Sequence, residues 1–319
     1  MKILEKIYKG KKMFLRKIKQ IYTDYFTIEG TYTSLLPDKI YLKKLYKKKT
    51  GKDLNLKNPV TFNEKLNWIK LYDRRPEYTI MADKYRVREY VKAKIGEGYM
   101  VPLLGVYENA DGIDFEALPN QFVLKCNHDS EVVICKDKEN NVFICKKGRL
   151  NSIDEVKAHL QKSLSMNFYK SNREWPYKDV PRKIICEKFM VPCEEGSEVD
   201  YKLFCFNGKV KLVALYKDRF SGALTEDYYT KNWEYVKILD THSAGDVYSK
   251  PEFLDEIIKI AEVLAADIPF LRVDFNNWKG LLAVGELTFF PHGGMLLFSD
   301  EWELKLGNWL NLSKAKHRR

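Results

Sequence analysis

The chain has 319 residues, 45% of them apolar and 31% charged, which is enough apolar material for one or two buried cores and too much for a disordered polymer. Its net charge of +11 is concentrated in residues 2–19 and 39–57, and the remainder is close to balanced. No apolar run reaches the roughly 18–20 residues that span a bilayer, and the N-terminus alternates lysine with apolar residues where a secretory signal would run uninterrupted, so a cytoplasmic protein is expected.

Residues 1–77 read as a basic, helical N-terminal region. Ile3, Leu4, Ile7, Phe14, Leu15, Ile18, Ile21 and Tyr22 recur at helical spacing around Gly10, the pattern of an amphipathic helix pair. Such a pair suits docking at the inner face of a membrane, and equally a solvated helix lying on its own domain. Pro59 stops one helix, and Thr61 or Asn63 can cap the next.

From 78 to 188 the pattern is that of a compact α+β unit. A helix over 82–95 is followed by strands over 102–107, 122–126, 131–136 and 141–145, a helix over 152–167, and a closing strand at 186–190. A loop at 194–197 leads into a second unit, taken as 189–312. There, strands over 201–206 and 210–216 flank Asn207-Gly208, a strong two-residue hairpin signal. A helix over 251–266 and strands over 271–275 and 281–289 follow. The six cysteines, Cys126, Cys135, Cys145, Cys186, Cys193 and Cys205, form neither a CxxC pair nor a zinc spacing with histidine and read as reduced, packed thiols.

Three constellations bear on chemistry. Asp274 and Glu286 lie inside neighbouring apolar strands, where a carboxylate needs a partner or a cation; Mg²⁺ takes such oxygens together with nucleotide phosphates. Arg272, two residues before Asp274 and on the same face, suits a developing negative charge, or alternatively a salt bridge with one of the acids. Lys125 interrupts an apolar strand and precedes Asn127-His128-Asp129-Ser130, a polar turn able to face phosphate oxygens, and Lys84 can aim at the same place; the alternative is two surface lysines. Glu187-Lys188-Phe189-Met190 has the form of a hinge that could hold an adenine, with backbone groups reading its edge, or of an edge strand with an exposed ion pair. His128 and His292 flank this cleft, without a serine or cysteine partner.

Taken in order, these segments resemble the layout of ATP-grasp ligases. More narrowly, residues 58–66, Leu71-Tyr72-Asp73-Arg74-Arg75-Pro76, Ala82-Asp83-Lys84-Tyr85, 122–128, Asp200-Tyr201-Lys202 with Phe206-Asn207-Gly208, and Arg272-Val273-Asp274-Phe275 with Glu286-Leu287-Thr288-Phe289 look like the TupA-like ATP-grasp family of surface-polysaccharide clusters. The resemblance implies an α+β, ATP-grasp fold in which two α+β subdomains clamp ATP, preceded by the helical N-terminal region. It implies ATP and Mg²⁺ as cofactors. Lys84 and Lys125 would hold phosphates with His128 and Ser130 of the following turn, Glu187, Lys188, Phe189 and Met190 would receive the adenine, and Glu195 or Glu198 would bind the ribose. Asp274, Glu286 and Thr288 would ligate the metal, Thr288 standing where many such enzymes place an asparagine. Arg272, Lys125 and Lys202 would be the catalytic cations.

The implied reaction is amide formation through an acyl phosphate, joining a uronic acid of a capsular or other surface glycan to an amino acid or small amine. Readings as an ATP-grasp kinase or a glycosyltransferase stand beside it. A nucleic-acid-binding protein is the non-enzyme alternative, disfavoured because the basic residues cluster away from the motifs and no RNP, KH or zinc motif occurs. One departure stands out: members tend to read His-Gly-Ser-Gly where this chain has His128-Asp129-Ser130-Glu131, placing two added acids beside a triphosphate.

Overall fold

The computed structural model describes residues 36–191, 199–217, 224–238, 248–279 and 281–315. The amphipathic pattern at 3–22, the loop at 194–197, Cys193 and the ribose acids Glu195 and Glu198 lie outside the described residues. The chain divides into two compact units, 1–55 and 56–319. In the first, helix α1 (Asp38–Thr50) buries Tyr41, Leu42, Leu45 and Tyr46 and ends at Gly51, whose φ of 73° lets its N–H reach the Lys47 carbonyl.

The second unit starts earlier than the boundary at 77 expected from sequence. Helix α2 (Phe62–Tyr72) opens with a capping box between Thr61 and Glu64 and belongs to the larger body, where the Phe62 ring lies 5.0 Å from that of Phe270 and 5.5 Å from that of Phe206. The helix expected over 82–95 begins later, as α4 (Val87–Ile95), and a separate helix, α3 (Pro76–Ala82), precedes it. The break has a local cause: the Asp83 carboxylate accepts from the backbone N–H groups of Tyr85 and Arg86, closing a turn at 84–86 instead of letting α3 run on.

Two six-stranded antiparallel sheets follow. The first has order β1-β6-β2-β3-β4-β5 and comprises β1 (Leu103–Tyr107), β2 (Phe122–Cys126), β3 (Val132–Asp137), β4 (Val142–Cys145), β5 (Gly148–Leu150) and β6 (Ile184–Lys188). Strict alternation divides its faces. Phe122, Leu124, Cys126, Val133, Cys135 and Cys186 form one core with Val156, Leu160 and Leu164 of helix α5 (Ile153–Ser165), leaving Val123, Lys125, Val132, Ile134 and Glu187 on the other face. A short helix, α6 (Tyr169–Asn172), precedes β6.

The second sheet has order β10-β9-β8-β7-β11-β12, from β7 (Val199–Phe206), β8 (Lys209–Lys217), β9 (Thr225–Thr230), β10 (Tyr235–Val236), β11 (Phe270–Trp278) and β12 (Leu281–Thr288). The β7–β8 hairpin turns on Asn207 and Gly208 with φ of 49° and 82°, both left-handed as a type I′ turn requires. Helix α7 (Leu254–Leu264) packs on β7, β8 and β11. Helix α8 (Asp300–Trp309) closes the chain against α2; a Cβ on its Gly307 would stand 2.1 Å from the Val60 carbonyl oxygen, so the close approach requires glycine. Five cysteines are buried and free. Among the described residues no helix is long and apolar enough to cross a membrane.

Candidate functional site

The mainly apolar half of the site comes from the open face of the first sheet. Val123, Val132 and Ile134, with Val101, Phe189 and Met190, meet Trp278, Val284 and Gly285 of the second sheet around a cavity of ≈ 160 Å³. Lys125 reaches into it and pairs with Glu187 at 2.6 Å; the other carboxylate oxygen of Glu187 is 3.5 Å from Arg88, which also donates to the Val101 carbonyl at 2.6 Å. Glu187 is therefore a fixed anchor for Lys125 on the cleft wall. Lys136 stands 4.4 Å over the Phe189 ring. Of the backbone groups expected to read an adenine edge, the Lys188 N–H is already committed to the Pro102 carbonyl, because β6 and its flanking loop are pinned by that bond.

The turn after β2 is built by the break at Asp83. Asn127 donates to Asp83 and to the Pro181 carbonyl, both at 2.8 Å, and its carbonyl accepts the Lys84 N–H. The Lys84 ammonium consequently reaches the Asp129 carbonyl, so Lys84 and the turn do converge. The two acids that depart from the family pattern point away: Asp129 is buried, accepting from Ser163 and from the Glu131 N–H, and Glu131 lies 3.5 Å from His159. Ser130 accepts from Lys146 at 2.9 Å. His128 does not flank the cleft. Its ring is 1% exposed, with Nε2 3.2 Å from the Met166 carbonyl, and burial lowers its pKa; the α5 terminus draws it inward.

Strand register decides the charged half. Asp274 stands directly opposite Glu286, Arg272 opposite Thr288 and Lys202 opposite Asp274, so all five share one face of the second sheet. Gly285 is the extra residue of a bulge between Asp274 and Phe275, and a Cβ there would meet the Asn276 side chain at 2.8 Å. Arg272 grips Asp274 with two bonds, 2.6 Å from Nε and 2.7 Å from Nη2, and Nη2 also donates to Thr288 at 3.0 Å. Lys202 donates to Asp274 at 2.7 Å and lies 3.6 Å from Asp200. The salt bridge that the sequence left as the alternative for Arg272 is thus present. Burial would push Asp274 up, but Arg272 and Lys202 outweigh it and lower its pKa; burial would push Arg272 down, and Asp274 carries it up.

Glu286 differs from Asp274. It is half-buried and makes no hydrogen bond or ion pair among the described residues. Among the described residues, no three His, Cys, Asp or Glu side chains gather as a metal cage; one or two carboxylates completed by phosphate oxygens are what Mg²⁺ commonly uses.

Several residues beneath this patch escaped the sequence reading. Asn63, Asn67 and Lys70 form a buried polar stripe on α2 that holds the segment after β12: Asn63 exchanges two bonds with Leu296, Asn67 donates to the Gly294 carbonyl, and Lys70 donates to the Gly293 carbonyl. His292, Gly293 and Gly294 have φ of 50°, 66° and 71°, three left-handed residues in succession that need such support. Glu174 lies near Lys70, Glu286 and Arg272, and burial raises its pKa to about 7 against the opposing pull of Lys70. Only the spacing of Asn63, Asn67 and Lys70 at i, i+4 and i+7 could have signalled that stripe. The His292 ring is accessible, yet its pKa is lowered by loss of water and by Arg272 and Lys202, against Glu226.

Comparisons with known proteins fit this geometry. A family model described as TupA-like ATPgrasp matches residues 64–311. No curated protein matches the sequence significantly. Solved structures similar to this chain include the D-alanine–D-alanine ligase from Bacillus anthracis, at 17% identity and a TM-score of 0.41, covering 72% of this chain and 66% of that one. The ATP-grasp ligase PsnB complexed with a phosphomimetic variant of its minimal precursor, Mg and ADP is similar at 11% identity and 0.39, covering 79% and 66%. The L-amino acid ligase from Bacillus licheniformis is similar at 13% and 0.33, covering 65% and 40%. This chain thus spans just under two thirds of the length of the first of these. With the family match extending over most of the sequence and both halves of the cleft, the chain belongs to the TupA-like ATP-grasp family.

Proposed function

We propose that this protein is an ATP-dependent carboxylate–amine ligase that activates a carboxylate as an acyl phosphate and forms an amide, with a uronic acid of a surface glycan as the acid and an amino acid or small amine as the nucleophile. The observation that carries the reading is the pairing of Asp274 with Glu286 on one sheet face, flanked by Arg272 and Lys202 and adjoining the apolar slot that Lys125 enters. The uronic acid rests on the family resemblance alone.

The residues present fit a magnesium nucleotide. Glu286 offers an uncommitted carboxylate, Asp274 faces it, and Thr288 adds a hydroxyl, an all-oxygen set suited to a hard dication. The metal, when bound, would neutralise charge on the transferring phosphoryl group. The slot between Ile134 and Val284 takes the adenine by apolar contact, and the amide of Met190 reads its edge. Lys125, fixed by Glu187, and Lys84, at the mouth of the turn, meet the phosphates. Arg272 and Lys202, held in position by Asp274, face the charge that develops on the acyl carbon's oxygen; because they are already ordered, little reorganisation accompanies the reaction. The apolar wall excludes water that would hydrolyse the acyl phosphate.

A cytoplasmic enzyme with its basic arm, 2–19, at the inner face of the membrane is part of this reading, supported by the charge distribution. The test is ADP and phosphate release with glucuronic or galacturonic acid and a panel of glycine, L-lysine and ethanolamine, repeated with Asp274→Asn. Turnover that survives Asp274→Asn unchanged removes the site assignment; a nucleotide sugar consumed without ATP replaces the ligase with a transferase.

A further inference from the structure

Among the described residues, one buried acid on the reactive face has no cation within ion-pair distance. Along β7, β8 and β9 the register places Asp200 opposite Tyr216 and Tyr216 opposite Glu226, with Lys202, Ala214 and Tyr228 forming the next row. All of these share the face that carries Asp274 and Glu286. Glu226 is 6% exposed. Its carboxylate accepts the Tyr228 hydroxyl at 3.1 Å and stands beside the Tyr216 side chain, whose strand position is directly opposite.

Apart from the half-buried Glu286, the other acids of the cleft are compensated. Asp274 has Arg272 and Lys202, Asp200 has Lys202, and Glu187 has Lys125 and Arg88. Among the described residues no lysine, arginine or histidine comes within ion-pair distance of Glu226. A carboxylate withdrawn from water with only neutral donors is expensive, and hydroxyls orient it without cancelling its charge. Lys202 does not cancel it either: its ammonium is spent on Asp274 and sits 4.9 Å over the Tyr216 ring. The Tyr216 ring therefore separates a cation already paired from an anion that is not, on the same wall as the proposed acyl-transfer centre, and His292 overhangs the same ground, with Glu226, Arg272 and Lys202 the charges it responds to.

We infer that Glu226, framed by Tyr216 and Tyr228, is the subsite that receives the cationic amine of the nucleophilic substrate. This rests on the ligase reading and deepens it: the second substrate is a primary amine bound in its ammonium form on the same sheet face, two strands from Lys202 and three from Arg272, which yields a proton to Glu226 before its nitrogen attacks, and not a neutral alcohol or water. The complementarity is chemical. An ammonium brings the missing positive charge and donors for the carboxylate, and the two aromatic faces suit a cation.

The test separates the subsite from the activation chemistry by changing the nucleophile. Hydroxylamine is neutral at pH 7.5 and traps an acyl phosphate as a hydroxamate without needing an anionic pocket. In Glu226→Gln, which keeps size and hydrogen-bonding shape, the kcat/KM for the best amine of the panel, relative to that for hydroxylamine, is expected to fall at least about tenfold, the effect of removing a charged hydrogen bond. An unchanged ratio overturns the subsite, as does an equal loss with both nucleophiles, which marks a purely structural role. A second measurement needs no variant: tetramethylammonium chloride inhibits the unaltered protein competitively against the amine and not against hydroxylamine, and inhibition of neither or of both alike overturns the assignment. Unaltered protein that releases no ADP with either nucleophile removes the ligase reading, and the subsite with it.

Discussion

The two walls of the cleft solve opposite problems. The wall from the first sheet is apolar, with one ion pair, Lys125–Glu187, standing among Val123, Val132 and Ile134; the wall from the second carries Lys202, Arg272, Asp274, Glu286 and Thr288 in adjacent register positions. An apolar wall tolerates small changes of shape because dispersion and burial are spread over many contacts. A charged wall does not, since each buried ion depends on a partner placed within a few tenths of an ångström. Binding affinity for the nucleotide should therefore be divided among many residues on one side, and turnover should be concentrated in few on the other.

The largest expected effect is on the charged wall. Asp274→Asn leaves Arg272 and Lys202 without their common anion; turnover should fall on the order of a thousandfold and stability by about 3 kcal/mol, read by ADP release and by urea unfolding. If stability is lost while turnover is kept, the contrast between the walls fails.

Next comes Glu174, beneath that wall. Burial raises its pKa from 4.5 to about 7, so between these values the folded chain keeps a proton that the unfolded chain has lost. Its contribution to stability is thus fully present below pH 4.5 and declines as pH rises toward 7. Unfolding measured at pH 4.5 and 7.5 should show the unaltered protein losing on the order of 3 kcal/mol relative to Glu174→Gln over that interval; a parallel pair of profiles would contradict it.

Glu286→Gln should lower turnover about a hundredfold with little change in stability, because no protein partner is orphaned, and the Mg²⁺ concentration at half-maximal rate should rise. A chevron or melting curve displaced as far as that of Asp274→Asn would show that Glu286 is structural after all. The smallest effect belongs to the apolar wall. Ile134→Ala should raise the KM for ATP several-fold, in keeping with the apolar area withdrawn from contact, and leave kcat nearly unchanged; a fall in kcat comparable to that of Glu286→Gln would erase the division between walls.

Much of this was legible along the chain, and what was not follows a pattern. Asn207-Gly208 fixed its hairpin because two left-handed residues admit one turn geometry. β10 and α8 gave no comparable signal: a two-residue strand has no period to read, and α8 is defined by what it packs against. The motif Asp73-Arg74-Arg75 looked like part of a functional signature, yet Asp73 is a buried anchor that takes two bonds from Arg75, at 2.9 and 3.1 Å, and one from Tyr78, fastening the junction of α2 and α3. Likewise Lys65, within another family motif, donates to the Gly307 and Leu310 carbonyls and caps α8. Family resemblance marks positions under constraint without saying whether catalysis or packing imposes it.

By itself, the sequence determined nine of the twelve strands, missing β5, β9 and β10, together with the hairpin and the residues able to carry charge, because alternation, turn chemistry and side-chain type are local properties. The tertiary structure decided which charges meet. His128 and Lys84, far apart in sequence, come to the same turn, but α5 draws the one inward while the break at Asp83 holds the other at the turn. Asp274 faces Glu286, and Glu226 meets only tyrosines among the described residues, because five strands pair in one register; a slip of a single residue would have sent those side chains to the opposite face.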